Sequence, residues 1–237
     1  MKIDIFPKEK YNENKKMRND GEMKNLIFVA LLLINSVSYS VGFFETATSK
    51  LYKELKLEGK LDYNIFKKGV EGAKKIKDRR KDSILTIIDY TQPSTQKRFF
   101  VFDLKNKKVL YNSHVSHGKN SGSLMAVSFA NTLNSYKSSL GFYLTDEPYY
   151  GRFGYSLRLK GLEPGINSNA YKRSIVVHGA DYARPEAIKK WGFLGRTEGC
   201  PAIPTEINAD VIETIKEGSI IFIIGNDQSY YEKSKFI

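Results

Sequence analysis

Apolar positions along this 237-residue chain change their period near residue 82. Over 46–80, Leu51, Leu55 and Leu57, then Ile65, Phe66, Val70, Ala73 and Ile76, recur at helix-like spacing. Gly59 and Lys60 divide that run into two helices, and Lys77, Arg79, Arg80 and Lys81 end the second where its dipole is negative. From Ser83 the stretches become strand-like: Ile84 to Tyr90, Arg98 to Leu104, and Val109 to Val115 after an Asn106-Lys107-Lys108 turn. Further strands are predicted at Gly141 to Thr145, Tyr155 to Leu159, Ile175 to His178 and Ser219 to Ile224, with Gly-, Ser- and Asn-rich loops between them. One short helix is expected after Pro204, with Thr205 as its cap, Glu206 and Asp210 toward its positive end and Gly218 closing it. The pattern predicts a mainly β, α+β domain over 82–226, a helical lead-in over 41–81 and a C-terminal tail over 227–237.

A different signal precedes the lead-in. Met23-Lys24-Asn25 is followed by an unbroken apolar run from Leu26 to Ile34 and then by Ser38 and Ser40 in a small-x-small arrangement. This is the layout of a signal peptide over 23–40. As a helix the run would rise only about 14 Å, against a hydrocarbon core of about 30 Å. A buried core helix is the plainer alternative. Residues 1–22 are polar and mixed in charge, consistent with a disordered extension or a start placed upstream of the true one at Met23. No cysteine follows the apolar run, so a lipoprotein anchor is not expected, nor a stable membrane anchor once the signal is cleaved. The expected location is outside the cytoplasm, periplasmic or associated with the cell wall.

Hydrophobic residues at 41% and charged ones at 27% are ordinary for a folded chain, whereas a net charge of +12 is not. The lysines are scattered and lack the interleaved aromatics of a nucleic-acid surface, so no nucleic-acid partner is expected. An exported basic surface meets wall polymer or anionic lipid instead, unless it is simply a solvated lysine face.

Cys200 is the only cysteine. Exported chains normally pair their cysteines, so a single one indicates an intermolecular bridge or a thiol kept for chemistry. Its segment, Arg196-Thr197-Glu198-Gly199-Cys200-Pro201-Ala202, is a poor core sequence. A nucleophilic thiol needs a base or a positive field, and His178, at the end of the strand from Ile175, can supply the base. An ionised sulfur beside an imidazole, at the mouth of a cleft open to solvent, is the arrangement expected. Gly179 would let the chain turn or a substrate approach. Gly199 can take a conformation closed to other residues, leaving the amides around it and Cys200 free for an oxyanion. Arg196 could hold a substrate carboxylate or make a structural ion pair.

With Thr197-Glu198-Gly199-Cys200-Pro201-Ala202 downstream of His178-Gly179, the chain resembles the murein L,D-transpeptidase catalytic domains related to the YkuD type. The likeness extends over about 82–225, through Val115 to Gly122, Asn134 to Tyr143, Leu157-Arg158-Leu159 and Gly161 to Gly165. It implies a β-rich catalytic domain, Cys200 as nucleophile and His178 as base. It also implies peptidoglycan stem peptides as substrate, a thioester acyl-enzyme and sensitivity to carbapenems, with no metal or other cofactor. Thr197 matches the family's small hydroxyl position, and His117 and Tyr143, within matching blocks, are expected at the substrate pocket. The better-known branch has histidine immediately before Gly-Cys, where this chain has Glu198.

Two other readings are open. A wall-binding module could keep the fold without turnover. A zinc peptidase could draw ligands from His114, His117, His178, Cys200 or Asp181, although residues three apart on a strand point to opposite faces. His114 is read as structural, and His117 has a structural loop role as its alternative.

Overall fold

The computed structural model describes residues 47–237; the signal peptide expected at 23–40 and the extension at 1–22 lie outside them. Residues 47–54 are helical. Helix α1 follows at Tyr63–Lys75, with Asp62 as its cap, accepting from the N–H groups of Asn64 at 2.8 Å and Ile65 at 3.2 Å. The two predicted helices and the break at Gly59 are therefore present, and the second ends at Lys75, before the basic run. Gly69 and Gly72 are what let α1 lie flat on the sheet. A Cβ at Gly69 would stand 2.7 Å from Ile87, and one at Gly72 2.1 Å from the Phe142 ring. Ile65, Phe66, Val70 and Ala73 thereby join the same core as the strands, with Phe66 edge-on to Phe102 at 5.5 Å.

Eight strands form one mixed sheet in the order β3-β2-β1-β8-β4-β5-β6-β7. They are β1 Ile84–Asp89, β2 Phe99–Asp103, β3 Lys108–Ser113, β4 Gly141–Gly151, β5 Gly154–Gly161, β6 Val176–Gly179, β7 Ala202–Ile203 and β8 Ile220–Ile224. The central β8, Ile220-Ile221-Phe222-Ile223-Ile224, is buried throughout, as a strand with both neighbours and both faces covered must be. It runs parallel to β1 and antiparallel to β4. All seven predicted strands are present.

The differences cluster at the end of the sheet that carries the cysteine. Strand β4 continues through Pro148, with a register shift between Thr145 and Pro148 that accommodates a residue unable to donate. Its hairpin with β5 reaches out to the tip Arg152-Phe153. Strand β7, not predicted, is two residues long and pairs parallel with β6, His178 opposite Ala202 and Gly179 opposite Ile203. Two helices were also not predicted: α2 at Pro185–Trp191 and α4 at Gln228–Lys233, the latter within the expected tail. Helix α3 spans Thr205–Ile215, but Pro204 is its cap residue and Thr205 its first turn, and no side chain caps it. Thr205 Oγ1 instead donates to Asp181 Oδ1 at 3.0 Å. The helix ends three residues before Gly218, where Glu217 at φ 62° and Gly218 at φ 103° turn the chain into β8.

Candidate active site

Parallel pairing of β6 with β7 sets the geometry. With His178 opposite Ala202, Cys200, two residues before β7, is brought alongside β6, and the Val176 N–H is directed at the sulfur. His178 and Cys200 both line a cavity of about 480 Å³. Residues 196–200 reach this place through a set of buried bonds. The Thr197 N–H donates to His117 O at 2.9 Å, and Thr197 O accepts from Lys119 N–H at 2.7 Å. The Thr197 hydroxyl accepts from Gly199 N–H at 3.0 Å and donates to Cys200 O at 2.8 Å. Gly199 has φ 125°, as its position before the cysteine suggested. Its N–H is engaged by Thr197, however, so it is not the free oxyanion donor expected.

Cys200 lies on the cavity floor, not at an open mouth: only 7% of the residue is exposed, and its thiol donates to Ser174 O at 3.6 Å. Burial pushes the thiol up to about 11, against smaller opposing pulls from the Val176 N–H and the Arg173 guanidinium. His178 is 1% exposed, and burial lowers its imidazole below the usual histidine range. Its Nδ1 lies 3.0 Å from Gly179 O; a carbonyl only accepts, so Nδ1 carries the proton and Nε2 is the basic nitrogen. The Phe153 ring from the hairpin tip stacks on the imidazole, centroids 4.4 Å apart and planes 20° apart. Burial thus disfavours the charged form of both partners, where the sequence suggested an ionised pair.

Other expectations are corrected. His117 is buried away from the cavity, where Arg98 donates to its Nδ1 at 2.7 Å and its Nε2 faces Gly122 O at 3.2 Å. Burial and then the Arg98 charge lower it to about 4. It braces the cysteine loop and does not touch substrate space. A cation against one nitrogen is also the wrong partner for a metal ligand, and among the described residues no three His, Cys, Asp or Glu side chains converge. His114 bonds Thr95 O at 3.2 Å, as a structural histidine. Tyr143 is fully buried with its hydroxyl on Ser139 O at 2.9 Å, so it too is structural. Gly179 makes room for α3, not for a substrate: a Cβ there would come 3.0 Å from Asn208 Cβ. Arg196 is exposed on the cavity wall and near Gly122 O at 3.4 Å.

Sequence reading missed most of the wall. Lys119, Arg152 and Arg173 join Arg196 around the cavity, against the single carboxylate Glu198. Arg173 also supports the floor, donating to Ala130 O at 2.7 Å and to Ser135 Oγ at 3.2 Å. Scattered basic residues carry no local signal of convergence; only the fold gathers them.

The molecule is a mainly β domain whose mixed sheet brings a histidine on β6 and a lone cysteine just before β7 to one cationic cavity. A family model described as the L,D-transpeptidase catalytic domain matches residues 57–224, and the chain belongs to that family. Among solved structures it is similar to an L,D-transpeptidase from Mycobacterium smegmatis, at 14% identity and TM-score 0.37, covering 60% of this chain and 59% of that one. It is also similar to the helical cell shape determining protein Pgp2 from Campylobacter jejuni, at 13% identity and TM-score 0.39, covering 68% and 57%. For L,D-transpeptidase 3 from Mycobacterium tuberculosis the values are 12% and 0.38, covering 60% and 61%. The chain thus spans about three-fifths of the length of each. No curated protein matches it.

Proposed function

We propose that the protein is an exported, cysteine-dependent L,D-transpeptidase that acts on peptidoglycan stem peptides through a thioester. The observation that supports this most is the delivery of Cys200 and His178 to one cavity by the β6·β7 pairing. His178 Nε2 would take the thiol proton as Sγ attacks the carbonyl of the stem's third, L-configured centre. The same nitrogen would return that proton to the amine of the departing D-residue as the C–N bond breaks. An acceptor amine, or water, then attacks the thioester, giving a cross-link, an exchanged terminus or a trimmed stem, and Cys200 leaves with a proton restored. Starting from a neutral pair, proton transfer accompanies attack instead of preceding it. The four cations of the wall suit the carboxylates of a stem peptide.

The depth of the thiol favours a second reading, a wall-binding module of the same fold that does not turn over. Intact mass after incubation with a carbapenem separates the two. One acyl adduct is expected on the wild type and none on Cys200→Ala, with adduct formation about a hundredfold slower in His178→Ala. An unmodified wild type, or equal labelling of Cys200→Ala, overturns the catalytic reading.

A further inference from the structure

The geometry points to a glycan-binding groove beside the catalytic cavity, built on Trp191 and Tyr182, which would seat the sugar chain from which a stem peptide hangs. This rests on the reading of that cavity as a stem-peptide site. The groove has a volume of about 530 Å³ and is lined by Tyr182, Ala187 and Trp191 together with Asp181, Arg184 and Glu206. Tyr182 also lines the catalytic cavity, so the two spaces adjoin across this residue. That shared wall is fixed: Gly195 N–H donates to Tyr182 O at 2.8 Å, and a Cβ at Gly195 would stand 2.5 Å from Tyr182 Cβ.

Charge decides what fits. The catalytic cavity carries four cations against one carboxylate, whereas the groove carries three carboxylates, Asp181, Glu186 and Glu206, against Arg184 and Lys190. A carboxylate-bearing peptide or an anionic lipid is drawn to the first and repelled by the second. Arg184 joins Asp181 at 3.1 Å to Glu206 at 2.6 Å, and Thr205 donates to Asp181, so hydrogen-bonding groups are held in place along one side. Trp191, at the last position of α2, also lines the groove and is 48% exposed, with the Lys190 ammonium 5.1 Å from its ring centre on one face and the rest of the ring open. A flat aromatic face beside fixed, charge-paired hydrogen-bonding groups suits a neutral, polyhydroxylated ring, which presents apolar C–H on its face and hydroxyls at its edge. A purely apolar partner would leave the Arg184 ion pairs desolvated.

Trp191 is the only tryptophan, so its fluorescence reads the groove directly. In full-length Cys200→Ala, titration with an N-acetylglucosamine tetramer is expected to give a saturable change in emission. A sugar-free tetrapeptide stem at the same concentration should give a much smaller one. In the active chain, the preference for a disaccharide-tetrapeptide over the free tetrapeptide, read as a ratio of kcat/KM, should fall about tenfold in Trp191→Ala. A silent tryptophan, an equal response to the free stem, or an unchanged ratio overturns the groove. If emission responds but no substrate turns over, the groove stands and the transpeptidase reading falls. If turnover is normal and emission silent, the groove alone falls.

Discussion

The sulfur of Cys200 is held as a thiol by its burial, and this makes a kinetic prediction. With the thiol pushed up to about 11, only about one part in ten thousand is thiolate at pH 7. Alkylation by iodoacetamide should therefore be slower than that of free cysteine at pH 7 and climb with pH toward 11. A rate already level below pH 7 would mean a preformed ion pair. Thr197 acts on the same loop through two buried bonds, to Gly199 N–H and Cys200 O. Thr197→Val removes both and should cost about 2–3 kcal/mol, lowering Tm by about 5 °C or more. Thr197→Ser should stay near wild type in melting and adduct rate; a Thr197→Val variant that melts like wild type would show that the hydroxyl's two bonds do not hold the loop. Cys200 and His178 could be picked out from the sequence because a lone cysteine after glycine and a histidine ending an apolar strand are rare chemistries. His117 and Tyr143 could not be assigned correctly. Membership in a block near the site does not say which way a side chain faces: His117 is turned by Arg98, nineteen residues upstream, and Tyr143 turns inward onto Ser139 O, four residues back, where the sheet buries it.

Among the elements, the β4–β5 hairpin links a strand irregularity to the candidate base. Pro148 and its register shift sit within β4, and the tip delivers Phe153 onto His178. The ring covers the imidazole, and desolvation is what lowers it. In Phe153→Ala water would reach the ring and its pKa would rise toward 6.5. A base must be neutral to act, so the acid limb of the adduct-rate profile should move to higher pH, with melting little changed because Phe153 is 44% exposed. An unmoved limb would show that the stack does not control the base. This hairpin was read short because Asp146-Glu147-Pro148 has the composition of a turn. Helix α2, by contrast, carried visible signals: Pro185 at its start, Glu186 in its first turn, Lys189 and Lys190 in its last and Gly192 beyond.

For the molecule as a whole, the core is closed in part by a segment that looks peripheral in the sequence and packs beside α1. The expected tail holds Tyr230, 3% exposed, and Phe236, whose ring meets Phe142 edge-on at 5.4 Å. Ser234 and Tyr230 donate to Glu163, a buried carboxyl raised by desolvation, which also accepts from Phe142 N–H at 2.7 Å. Deleting residues 228–237 uncovers this carboxyl and the aromatic cluster, and should cost about 3–5 kcal/mol. A truncated chain that melts within about 2 °C of full length would show the tail to be superficial. Period and turn chemistry, which are local, were enough to determine the seven longer strands, the helical lead-in, the helix after Pro204 and the presence of one candidate nucleophile with one candidate base. What only tertiary structure decided was non-local: the two-residue β7 and its parallel register with β6, the burial that disfavours charge on both partners, and the gathering of Lys119, Arg152, Arg173 and Arg196 around them. Parallel pairing and charge convergence join residues far apart in the chain, and no neighbouring residue records them.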